Sequence, residues 1–157
     1  MLHTISLLVE NHFGVLARIA GLFAGRGYNI KSLTVGETED PAVSRMTVVV
    51  AGDDAIIEQV KKQCDKLIDT IRVDDLTGEE YVDRELALVK IAAGMAQRGD
   101  VFQIADVFRG KVVDISHEIM TIEVTGTSKK VDAFIELVRP YSIIELARTG
   151  RVALGRG

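Results

Sequence analysis

Asn11 and Gly14 stand in a five-residue turn, Glu10-Asn11-His12-Phe13-Gly14, between a stretch that reads as a strand, Leu2 to Val9, and one that reads as a helix from Val15. Backbone N–H groups in a first helical turn lack carbonyl partners and carry partial positive charge, so they suit a carboxylate. An asparagine amide offers both a donor and an acceptor, which matches the two ends of an α-amino acid. A second asparagine, Asn29, lies at the start of the next strand, Tyr28 to Val35, directly after Arg26-Gly27 closes the helix. Taken singly, each residue has a structural explanation: Asn11 as a turn or cap, Gly14 as a loop glycine, Asn29 as the polar end of a turn. Together they fall at the loop end of adjacent elements and read as a cradle for a small zwitterion. If two chains pair through this segment, the Asn29 end of one would face the Asn11 loop of the other. Ligand binding would then be coupled to how the chains pack.

Other chemistries find less support. His3, His12 and His117 have no partners at zinc-ligand spacing, and Cys64 falls on an apolar helical face, so all four read as core or surface residues. No serine occupies a Gly-x-Ser-x-Gly elbow. Gly21, Gly25 and Gly27 lie inside and after a helix, whereas a dinucleotide fingerprint opens one. Gly126-Thr127-Ser128-Lys129-Lys130 joins a strand to a helix without P-loop spacing, and Thr127 or Ser128 suffices as an N-cap. Asp74-Asp75 and Glu79-Glu80 read as solvated ends of elements. No catalytic residues and no metal site emerge. The residues point to sensing rather than catalysis.

The chain has 157 residues, enough for one ordinary domain or two small ones. It is 47% hydrophobic and 27% charged with no tryptophan, a globular composition. Acids and bases are interspersed at a net charge of −4, which argues against a broad basic face for nucleic acid. The single cysteine fits a reducing compartment, and Met1-Leu2-His3-Thr4 lacks the basic start and apolar core of a signal peptide. A mean hydropathy of +0.19 in so small a chain suggests apolar surface buried between subunits. A cytoplasmic oligomer is the expectation.

Hydrophobic period supplies the elements. Val15, Leu16, Ile19, Leu22 and Phe23 mark one helix, and Ile56, Ile57, Val60, Cys64, Leu67 and Ile68 another, N-capped by Asp53 or Asp54. Val101, Ile104, Ala105 and Phe108 mark a third, and Val131, Phe134, Ile135 and Val138 a fourth that Pro140 stops. Arg45 to Gly52, a helix and Thr70 to Gly78 resemble Ile119 to Gly126, a helix and Ser142 to Gly150. Upstream of each, a helix closes with Arg-Gly, at Arg26-Gly27 and Arg109-Gly110. The chain therefore reads as α+β, two ferredoxin-like βαββαβ domains in tandem. Residues 1–78 form the first, the polar segment 79–83 a linker, and 84–157 the second. Leu86 to Ile91 is a strand whose expected partner is Val112 to Ile115. Both helices of each repeat should cover one sheet face, and another subunit is the simplest cover for the other.

Several runs resemble a known family. Asn11-x-x-Gly14, Leu16-x-Arg18-Ile19-x-Gly21-Leu22-Phe23, Arg26-Gly27-Tyr28-Asn29-Ile30-x-Ser32-Leu33-Thr34-Val35 and Ser44-Arg45-Met46-Thr47 are similar to the small regulatory subunits of acetohydroxyacid synthase (acetolactate synthase). The likeness continues through Leu88-Val89-Lys90-Ile91, Phe108-Arg109-Gly110 and Gly126 to Phe134, nearly the whole chain. It implies that the first repeat is an ACT domain, an amino-acid-sensing module, and the second a ferredoxin-like domain. It further implies a homodimer formed through the ACT domain, valine bound at that interface, and association with a separate catalytic subunit. That subunit would carry thiamine diphosphate, magnesium and FAD, with no cofactor on this chain. The small subunit would raise its activity and confer feedback inhibition in branched-chain amino-acid biosynthesis.

Asn11, Gly14 and Asn29 fall on the family's effector positions, with Val15, Leu16 and Ile30 beside them. The expected geometry sets the valine carboxylate on the N–H groups of Gly14, Val15 and Leu16, completed by Asn11. Asn29 and the backbone near Ile30 of the partner chain would take the ammonium. The second repeat has Ala92-Ala93-Gly94 in place of the asparagine loop, so no second effector site is expected there. An amino-acid-responsive transcription factor would need a helix-turn-helix or basic arm, which the sequence lacks. A free-standing enzyme would need the catalytic residues that are missing. Leucine and isoleucine differ from valine by one methylene, which changes affinity by about 1–3 kcal/mol, so both could also bind more weakly.

Overall fold

The computed structural model describes residues 1–157, which divide into two compact units, Met1–Val82 with Arg151–Gly157, and Asp83–Gly150. In the first, β1 (Leu2–Glu10), α1 (Val15–Gly25), β2 (Asn29–Glu37), β3 (Val43–Ala51), α2 (Asp54–Asp65) and β4 (Thr70–Asp75) follow the expected βαββαβ order. The sheet runs β2-β3-β1-β4, antiparallel throughout. Alternate residues of β1 and β3, Ile5, Leu7 and Val9 with Met46, Val48 and Val50, point to one face and are buried there. They meet Val15, Ile19 and Phe23 of α1 and Ile57, Val60 and Cys64 of α2 in a single core. Asp53 caps α2, its Oδ1 accepting the Ile56 N–H at 2.9 Å.

The second repeat is built alike from β5 (Tyr81–Ala92), α3 (Arg98–Val107), β6 (Lys111–Ile115), β7 (Ile119–Gly126), α4 (Ser128–Val138) and β8 (Ile143–Arg148). Thr127 caps α4 through the Lys130 N–H, and α4 ends at Val138, where Pro140 sits in a short 3-10 turn. Phe108 and Phe134 meet edge to face at a centroid distance of 5.6 Å in a core that also holds Val89, Ile91, Met120 and Ile122. No helix is long and apolar enough to cross a membrane.

Three expectations change. Val112 to Ile115 does not pair with Leu86 to Ile91: the order is β6-β7-β5-β8, because β7 enters antiparallel between the two strands of the crossover. The segment 79–83 is not a free linker, since β5 is already under way at Tyr81 and the backbone of Glu80 accepts the Arg156 N–H at 3.0 Å. The last seven residues leave the second repeat. Arg151–Gly157, including β9 (Val152–Gly155), belong to the first unit. There the Arg151 guanidinium donates to Thr4 Oγ1 at 2.8 Å and reaches Tyr81 Oη at 3.4 Å. Thr4 lies on the sheet face opposite the helices, so this face is covered in part by the chain's own end rather than by another subunit alone. The cause is chemical: Thr4, Ser6 and Thr47 give that face hydroxyls, which a hydrogen-bonding segment can satisfy.

Candidate functional site

The loop between β1 and α1 is held from three sides. The Asn11 N–H donates to the Ala42 carbonyl at 2.8 Å, and the Glu10 N–H to the Asp69 carbonyl at 2.8 Å. Arg18, one turn into α1, places Nε and Nη2 on Asp69 Oδ2 at 2.8 and 2.5 Å. Asp69 is buried, so this pair anchors the start of α1 to the α2–β4 turn. Gly14 takes the N-cap position of α1 at φ 86°, a left-handed conformation that a Cβ would strain. It carries no side chain to cap the helix, so the end of α1 stays open to an anion.

The structure revises which groups of this loop can meet a ligand. The Val15 N–H is taken by the His12 carbonyl at 3.3 Å, and the Val15 side chain is buried in the core. Asn11 Nδ2 donates to Glu37 Oε1 at 3.2 Å and to the Pro41 carbonyl at 3.0 Å. Both amide hydrogens are therefore spent, and what remains is Oδ1, an acceptor suited to an ammonium rather than a carboxylate. Phe13 is fully exposed and Leu16 half-exposed, an apolar rim around Gly14.

Asn29 is not in this cluster. It pairs with Ala51, while Glu10, beside Asn11, pairs with Val43 at the other end of the same strand, β3. At a rise of about 3.4 Å per residue the two ends of β3 stand ~27 Å apart, so Asn11 and Asn29 of one chain cannot share a small ligand. Asn11 and Asn29 of one chain thus stand at opposite ends of the sheet, because α1 carries the chain across it before Asn29 is reached. Ile30 is half-buried, packed against the helical side of the sheet.

Sequence reading missed Glu37, Pro41 and Asp69, since their partners lie 26, 30 and 51 positions away. It also missed that Glu10, His12 and Asp69 gather, with possible ligand atoms within 4.8 Å of one another. The Glu10-x-His12 spacing, which sets both side chains on one side of extended chain, was the available signal. His12 Nε2 meets Glu10 Oε2 at 2.7 Å, and Arg18 already supplies Asp69 with positive charge. In the second unit Glu85, buried, accepts from Arg148 and from Ser128 Oγ, while Arg148 also reaches Asp132 at 2.9 Å. The hydrogen bond to Glu85 is the main cause that holds the Arg148 pKa above its ordinary value.

Comparison with known proteins gives concordant findings across the chain. Residues 5–72 match the model described as AHAS small subunit-like ACT domain, and residues 84–157 match the one described as small subunit of acetolactate synthase. The probable acetolactate synthase small subunit of Archaeoglobus fulgidus is 55% identical over 157 residues, covering 100% of this chain and 98% of that one. The isozyme 3 small subunit of Escherichia coli is 45% identical, covering 100% and 97%. A crystal structure of the acetolactate synthase small subunit from Thermotoga maritima superposes with a TM-score of 0.91 at 44% identity, covering 100% and 98%. With its two ferredoxin-like repeats, the first an ACT domain, this chain belongs to the acetolactate synthase small-subunit family.

Proposed function

We propose that the chain is the regulatory subunit of acetolactate synthase, binding valine between two ACT domains and carrying feedback inhibition to a separate catalytic subunit. It has no catalytic site of its own; thiamine diphosphate, magnesium and FAD belong to that partner, whose activity the small subunit raises. The complex works in the cytoplasm.

The supporting observation is the position of β2. It is an edge strand, running from Asn29 to Glu37 with Leu33 at its midpoint. Antiparallel pairing of two such edges about Leu33 would set Asn29 of the partner subunit opposite Glu37, the residue that holds Asn11. The ~27 Å separation within one chain then becomes adjacency between two. The valine carboxylate would lie at the open start of α1, its ammonium between Asn11 Oδ1 and the partner's Asn29. Phe13 and Leu16 would close over its side chain.

The test is complementation. Asn11→Ala and Asn29→Ala should each weaken valine binding about tenfold or more, since a hydrogen bond to a charged group contributes ~1.5–3 kcal/mol. Mixed in equal amounts and allowed to exchange, the two variants should regain tight binding at about a quarter of the sites, because half the dimers are mixed and each then holds one intact site. Calorimetry showing no recovery in the mixture would sink the shared site.

A further inference from the structure

His3 is the least satisfied polar residue of the first unit. It lies in β1 opposite Val50 and is only 3% exposed, yet neither ring nitrogen has a hydrogen-bond partner. Buried polar atoms are almost always paired, so an imidazole orphaned at both nitrogens requires an explanation. Each nitrogen faces a carboxylate beyond hydrogen-bond reach: Nε2 stands 3.7 Å from Asp54 Oδ1, and Nδ1 stands 3.9 Å from Asp75 Oδ2. A cavity of about 350 Å³ opens here, lined by His3, Asp54, Asp75 and Glu58 among others, with no lysine or arginine in its wall.

We propose that His3, Asp54 and Glu58 bind a divalent transition-metal ion, zinc being the model case, with Asp75 orienting the imidazole from behind. Two donors sharing one ion through bonds of about 2.0–2.2 Å stand roughly 3.0–3.5 Å apart. The 3.7 Å gap between Nε2 and Asp54 is nearly that span, and Asp54 is exposed and free to close it. Glu58 follows Asp54 by four positions in α2, one turn further along the same helix face, and lines the same cavity; its Oε1 stands 3.6 Å from Lys61 Nζ, a partly exposed pair that a bound ion would displace. Asp75 is held for the supporting role: its Oδ1 accepts the Thr77 N–H at 3.0 Å, while Oδ2 faces the imidazole. Closing the 3.9 Å gap between Nδ1 and Oδ2 on metal binding would give the carboxylate–histidine–metal order, in which the carboxylate accepts Nδ1–H and leaves Nε2 to ligate. One imidazole with two carboxylates favours zinc, cobalt or nickel over magnesium or calcium, and water would fill the remaining positions.

The Glu10–His12–Asp69 group provides a contrast within the same chain. Its histidine is exposed and already hydrogen-bonded to Glu10, and its aspartate is held by Arg18, so it has no orphaned donor.

The experiment titrates cobalt(II) and zinc(II) into the full chain after chelation, following cobalt absorption and heat. One saturable site per chain is expected. Asp54→Asn and Glu58→Gln should each weaken it by about tenfold or more, and Asp75→Asn by ~10–100-fold, while His12→Ala leaves it unchanged. Asp54 and Glu58 are exposed, so their variants retain the fold even where His3→Gln does not. No saturable binding would overturn the proposal, as would native affinity in the Asp54 and Glu58 variants or loss on His12→Ala alone. His3 ring signals in NMR that respond to acid but not to zinc would reassign the group as a proton-binding contact between two aspartates, and so overturn it too.

Discussion

Because both hydrogens of the Asn11 amide are used by Glu37 and Pro41, its effect on a ligand depends on the β2–β3 hairpin as much as on Asn11 itself. Glu37→Ala should therefore weaken valine binding by less than Asn11→Ala yet in the same direction, within about 1 kcal/mol, since it frees the amide to turn. Calorimetry on the two variants side by side checks the order. Gly14→Asp adds a strained left-handed residue and a like charge where the proposed valine would place its carboxylate. With the chain bound to its catalytic partner, activity is expected to persist while valine inhibition disappears, and an acetolactate assay that still shows full inhibition contradicts it. Cys64 titrates differently. Burial first, and the Asp65 charge second, push its thiol from an ordinary 9.0 up to about 11. The folded state thus keeps a proton that the unfolded chain loses, so stability holds below pH 9 and falls as pH rises from about 9 to 11. Urea denaturation at pH 8 and pH 10.5 should show a drop that Cys64→Val abolishes.

At the scale of elements, the helices and their caps were legible because their signals are local. A period of 3.6 residues marked α1, α2 and α4, and the caps Asp53 and Thr127 lie three residues before the N–H groups they satisfy. The start of α1 was legible for the same reason: Gly14 precedes its first apolar residue. Strand neighbours are not local. Whether β6 touches β5 or β7 depends on the third strand, which no property of Val112 to Ile115 announces. That Asn11 and Asn29 of one chain stand at opposite ends of the sheet was likewise not legible, because a helix of eleven residues intervenes and reverses the end at which the chain stands. The repeat also conceals one difference. After α1 the positive φ falls on Gly27, whereas after α3 it falls on Arg109, and Gly110 instead sits where a Cβ would stand 3.1 Å from the Glu123 carbonyl. The same dipeptide thus closes two helices by different means. In the second repeat, Arg148→Met should destabilise the unit by about 3 kcal/mol, because Glu85 would keep a buried charge without its main partner. The double variant Arg148→Met/Glu85→Gln should recover part of this in a denaturant titration.

At the scale of the whole molecule, the two units are not strung one after the other. Residues 83–150 are inserted into a first unit that resumes at Arg151. During synthesis β1 to β4 emerge early, but the segment that caps Thr4 emerges only after the second repeat has been made. Domains tend to fold as they leave the ribosome, at about 5–20 residues per second. The sensing sheet therefore spends several seconds with its hydroxyl-lined face unfinished while the second repeat is produced. Closing that interval by ring formation across the inserted unit is a loop-closure step, which lengthens only slowly with the size of the insert. Residues 151–157, made after the second repeat, thus complete the first unit begun, so that unit is finished only once the inserted one has been translated.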